Sequence, residues 1–96
     1  MLESFTPSTF EPLVDDEFAV DVGDRTVSLR LARITRLGGA PPGNREPFSL
    51  LFIGPSQPVL EQRTRPTTHA GLGTFDMFMV PIGPEEGGMG YEVVFA

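Results

Sequence analysis

The chain has 96 residues, a formal net charge of −6, seven basic residues that are all arginine, and no cysteine. That length makes one domain. Without cysteine or lysine there is no disulfide, zinc–thiolate site, thiol nucleophile, Schiff-base lysine or P-loop, and the acidic balance argues against nucleic acid as a partner.

Residues 1–16 form an entry segment. Ser8 or Thr9 is placed to cap one helical turn near Glu11 and Pro12. Phe5, Phe10, Leu13 and Val14 would then face the core, and the short helix would plug or cover one end of a sheet. The sheet occupies residues 17–96. Its first hairpin is the clearest element. Phe18, Val20 and Val22 alternate with polar or small residues, Gly23-Asp24 signals a two-residue turn, and Val27, Leu29 and Leu31 return. This register pairs Val22 with Arg25, Val20 with Val27 and Phe18 with Leu29 on the apolar face. Asp21–Thr26, Ala19–Ser28 and Glu17–Arg30 pair on the polar face.

After Leu31 the apolar phase slips to Ile34 and Leu37. A bulge near Ala32-Arg33 accounts for it. The alternative is a helix over 28–37 ended by Gly38, with Arg30, Arg33 and Arg36 on one face. The β-branched Val27, Ile34 and Thr35 favour the strand. A long loop spans 38–45, and a strand runs Phe48–Ile53. Gly54–Pro58 turns the chain. Val59–Thr64 reads as a polar edge strand limited by Pro66. Gly71-Leu72-Gly73 leads into a strand over Thr74–Ile82, Pro84–Gly90 reads as an acidic hairpin loop, and Tyr91–Phe95 is the last strand. The loops at 38–47 and 83–90 are the natural recognition tips. The fold expected is all-β: a small antiparallel barrel or two-layer sandwich of about six strands with a short N-terminal helical turn.

The motif frame is Arg45-Glu46-Pro47-Phe48-Ser49-Leu50-Leu51-Phe52-x-Gly54-Pro55, then Leu72-Gly73-x-Phe75-x-x-Phe78-x-Val80-Pro81-x-Gly83, then Tyr91-Glu92-x-Val94-Phe95. It resembles a short bacterial β-domain family of unknown function. The resemblance covers nearly the whole chain. It implies a small β fold and a link to phage-tail-collar-like fibre proteins, and it brings no catalytic residue with it.

Reactive groups are sparse. His69 is the only histidine, and Asp76 and Glu61 are its nearest acids in sequence, a poor metal set. A turn histidine bonded locally is the simpler reading. Ser49 sits mid-strand without a nucleophile elbow. Asp15-Asp16 and Glu85-Glu86 read as solvated acids. Gly87-Gly88-Met89-Gly90 precedes a strand instead of following one, the reverse of a phosphate cradle. Arg30, Arg33 and Arg36 suit a solvated face better than an anion pocket. No catalytic, metal or cofactor residue is assigned, and the chain is not read as an enzyme.

The surplus of apolar surface is the functional signal. Leu50–Ile53, Met77–Val80 and Val93–Phe95 are apolar on both faces, although a half-buried strand should alternate. Either the N-terminal segment covers the outer face of a closed barrel, or another chain does. Leu51, Ile53, Phe78, Val80 and Val94 are the candidate interface residues. The expected function is a non-enzymatic structural or interaction module that self-associates or docks on a protein partner, in the most specific form within a fibre- or tail-like assembly. The alternative is a small-ligand-binding domain with a cavity edged by Phe48, Phe52, Phe75, Phe78 and Tyr91. No apolar run is long enough for a membrane span. The first residues lack a basic and apolar leader, so the expected location is the cytoplasm, or outside the cell as part of an assembly.

Overall fold

Alternating burial builds the first hairpin as its sequence dictates. In the computed structural model, which describes residues 4–40, 42–43 and 45–96, β1 (Glu17–Asp21) pairs with β2 (Thr26–Arg36) in the register expected, from Glu17↔Arg30 to Asp21↔Thr26. The Val22 N–H closes the turn on the Arg25 carbonyl at 3.0 Å. Asp21 Oδ1 accepts the Gly23 N–H at 2.8 Å. The phase slip after Leu31 is a bulge. Register against β3 (Phe48–Gly54) shifts between Leu31 and Arg33, and residues 26–36 form one strand with no helix.

Three further strands complete the sheet: β4 (Arg63–His69), β5 (Gly73–Glu85) and β6 (Gly88–Phe95). All neighbours are antiparallel, and the order β1-β2-β3-β6-β5-β4 closes into a barrel. The molecule is thus two three-stranded meanders, β1–β3 and β4–β6, joined along two seams. The β3–β6 seam runs for seven residue pairs, Phe48↔Phe95 to Gly54↔Met89. The β1–β4 seam has two, Ala19↔Thr68 and Val20↔Thr67.

Two boundaries differ from expectation. The strand read at Val59–Thr64 begins at Arg63 and runs on through Pro66 to His69. Pro66 is tolerated because the seam with β1 starts only at Thr67, so its missing N–H leaves no gap in that ladder. The loop read at Pro84–Gly90 is mostly strand, with Glu86-Gly87 as the turn. Gly88 is required there. Its φ is +149°, and a Cβ would collide with the Gly54 carbonyl oxygen.

The entry segment forms α1 (Pro7–Phe10) and a 3₁₀ turn at Glu11–Leu13. Thr6, not Ser8 or Thr9, is the N-cap, and Pro7 fills the first helical position. The Thr6 N–H donates to Thr9 Oγ1 at 3.0 Å. Asp15 takes φ +78°, a conformation aspartate tolerates better than most residues. Its N–H donates to the Leu31 carbonyl at 2.7 Å. Phe5 and Phe10 are buried and Leu13 packs beside them, but Val14 is exposed, contrary to expectation.

Those two phenylalanines plug one end of the barrel. Phe5 meets Phe10 at 5.3 Å and Phe75 at 5.0 Å between ring centroids. Phe48 and Phe95 stack face to face at 4.7 Å across the β3–β6 seam. Phe18 and Phe52 meet edge to face at 5.1 Å. Such rings contribute about 1.5–3 kcal/mol each by burial and roughly 0.5–1.5 kcal/mol more per favourable pair. Arg45 ties the plug down. It donates to the Phe5 carbonyl at 3.0 Å and the Ala96 carbonyl at 2.7 Å, and it lies over the Phe48 and Phe95 rings. Residues 1–3, 41 and 44, and with them the start of the chain and part of the 38–47 loop, lie outside the described residues.

Candidate functional site

Strand β4 carries the polar residues of the interior. Arg65, Thr67 and His69 are buried and share one face, since positions two apart point the same way. His69 sits at the C-terminal end of the strand, where its ring lies against Phe18 of β1 at 4.6 Å between centroids. Nδ1 accepts the N–H groups of Gly71 at 2.9 Å and Leu72 at 3.3 Å. Two donors on Nδ1 leave the ring proton on Nε2, which donates to Asp16 Oδ2 at 2.9 Å. Both nitrogens are therefore committed: one shapes the β4–β5 turn and the other holds the segment leading into β1.

The local-turn reading of His69 matches this geometry. Sequence spacing named the wrong acids: Asp76 lies opposite Pro66 on the outer side, and the acid that reaches the ring is Asp16, 53 positions earlier. Only the barrel topology brings them together. No group of three or more His, Cys, Asp or Glu side chains is placed to hold a metal ion among the described residues.

The remaining polar candidates also find structural places. Ser49 is buried between Thr35 and Val94 on neighbouring strands. Arg30 pairs with Asp15 at 3.1 Å. Arg36 pairs with Glu46 at 2.7 Å and Glu11 at 3.1 Å. The hydrogen bonds that Arg36 donates, to Glu46 first and then to Glu11, hold its pKa above the ordinary value. Arg30 and Arg36 of β2 thus belong to a solvated, ion-paired face, and Arg33 between them is exposed.

The five interface candidates divide. Leu51 and Ile53 were expected at the surface, but they are 8% and 7% exposed within the single chain. Ile53 lies under the β5–β6 turn, where a Cβ added at Gly87 or Gly88 would meet its Cγ2 methyl at 3.6 or 3.5 Å. Leu51 lies between Arg33 and Glu92 in the strand register. The N-terminal segment fills a barrel end and does not form this cover. Phe78 and Val94, in contrast, are 50% and 55% exposed, and Val80 is half-buried. The β5–β6 ladder ends at Val80↔Glu92, and Phe78 and Val94 each lie two residues beyond it along their strands. Two large exposed apolar side chains thus stand on the neighbouring strands β5 and β6.

The cavity anticipated from Phe48, Phe52, Phe75, Phe78 and Tyr91 is not formed by these rings together. Four are buried in the packed core and Phe78 points outward. The Tyr91 hydroxyl accepts the Leu60 N–H at 2.8 Å. No helix among the described residues is long and apolar enough to cross a membrane.

No match to the chain was found among curated proteins or among solved structures. A family model does match, over residues 5–95. That span takes in the plug, all six strands and the two exposed apolar residues, so the chain belongs to the family described as a domain of unknown function, DUF6916.

Proposed function

We propose that this domain is a non-enzymatic interaction module that docks through the outer face of β5 and β6, with Phe78 and Val94 at the centre and Val80 at the side. The observation that carries the reading is their half exposure on neighbouring strands. Isolated exposed apolar residues are ordinary, but two large ones on adjoining strands beside the half-buried Val80 offer apolar surface that association would dry. Both side chains are already about half buried, so covering the rest would return roughly 1 kcal/mol each. The commitment of both His69 nitrogens supports the non-enzymatic side of the proposal.

Self-association is the simplest form, and repetition of such a contact gives a fibre- or tail-like assembly; docking on a different protein uses the same face. Light scattering with size-exclusion chromatography tests it. The wild-type chain should exceed one copy per particle at micromolar concentration, and the double variant Phe78→Ser, Val94→Ser should elute as one. A monomeric wild type removes self-assembly. If cross-linking in the native host then captures the same partners with both forms, the patch is not a docking face.

A further inference from the structure

The short seam has a second consequence at the opposite end of β4 from His69. Beyond Val20↔Thr67 the two strands stop pairing. A hollow of about 240 Å³ lies there between the β1–β2 turn and the start of β4, lined by Asp21, Val22, Gly23, Arg63, Thr64, Arg65 and Pro66. Arg65 is the unusual member. It is only 6% exposed. Its Nη2 donates to the Glu61 carbonyl at 3.0 Å, while its buried Nε has no partner. Among the described residues no carboxylate lies within ion-pair distance of it. A guanidinium enclosed in protein ordinarily meets an acid, because a buried cation without one is expensive. Arg30 and Arg36 obey that rule even at the surface. Arg65 breaks it in the interior, beside an open hollow.

We propose that this hollow is an oxyanion-binding site in which Arg65 supplies the buried charge and Arg63 the second one. Both arginines project from the same side of β4, two positions apart. The planar fork of Arg65 suits a carboxylate or phosphate group approached end-on through its terminal nitrogens. Asp21 sets the limit of the site. Its Oδ1 is already occupied by the Gly23 N–H, and its charge opposes an anion in the same hollow. One negative group is therefore the expected load. A polyanion would also meet the repulsion of the chain's net charge of −6.

The test is a titration of the ¹⁵N-labelled full chain, following the Nε–H resonances of arginine. Inorganic phosphate and acetate are added in separate arms, with sodium chloride at matched ionic strength as the control. The Arg65 signal should shift and saturate with at least one of the two anions, and the responding arm distinguishes phosphate from carboxylate chemistry. Arg63→Gln should weaken that binding about tenfold, the loss of one charge-assisted hydrogen bond. Asp21→Asn, which keeps an oxygen for Gly23, should tighten it. Arg65→Gln should abolish it. If that variant does not fold, Arg63→Gln and Asp21→Asn decide the matter. Shifts that follow chloride without saturating overturn the proposal, as does saturable binding indifferent to Arg63→Gln.

Discussion

The two seams of the barrel solve the same problem by different means. Along β3–β6 the backbone does the work: seven residue pairs, with Phe48 stacked on Phe95 and Phe52 opposite Tyr91. Along β1–β4 only two residue pairs form, and side chains complete the closure. His69 reaches from β4 to Asp16 and Phe18, bridging one end of the gap. At the other end, among the described residues, no side-chain hydrogen bond or ion pair joins β1 to β4, and the hollow at Arg65 remains. A long ladder resists local change because its hydrogen bonds and packing support one another. A short one concentrates its stability in a few contacts, and leaves room for a site.

The largest effect that separates the seams should come from Phe52→Ala. It removes a fully buried ring from β3 and its edge contact with Phe18, at a cost of about 3–5 kcal/mol. Urea denaturation should show this as a lower midpoint for the whole cooperative transition. His69→Ala should cost less, about 2–3 kcal/mol, but unevenly. Amide exchange in β1 and β4 should accelerate far more than in β3 and β6. Uniform acceleration would mean that His69 is not specific to its seam.

Gly88→Ala probes the stronger seam at its end. Crowding against the Gly54 carbonyl should cost roughly 1–3 kcal/mol, and amides around Gly54 and Met89 should lose protection first. Asp16→Asn is milder, about 1 kcal/mol or less, because the amide oxygen still accepts from Nε2. Smallest of all on stability is Phe78→Ser with Val94→Ser, within about 0.5 kcal/mol for each position. Phe78 stands outside both seams, and Val94, though its backbone belongs to the β3–β6 ladder, is 55% exposed, so their loss should appear in association more than in the denaturation midpoint of the single chain.

Local pattern made the first meander legible. Strict alternation from Glu17 to Leu31 fixed one hairpin register, and the slip to Ile34 located the bulge, because period-two burial leaves little freedom once a turn is placed. The second meander was harder. Pro66 argued against a strand that runs straight through it, since sequence does not show which ladder a residue must serve. Gly87 and Gly88 looked like loop because their role is to let backbones approach, which appears only when β3 lies beneath them. The exposed pair Phe78 and Val94 was legible as surplus apolar character, but the same signal also nominated Leu51 and Ile53. Composition counts apolar faces without saying which of them a neighbouring turn will cover. The Asp16–His69 bond and the solitary Arg65 had no local signature at all, because each depends on the pairing of β1 with β4.

A sheet that returns to its own first strand has few vacant backbone groups for a stranger to extend. The docking proposed on the β5–β6 face would therefore be written in outward-pointing atoms more than in added strands. Such lettering can be rewritten without disturbing the frame beneath it. A change of companion at such a face would leave the interior as it is.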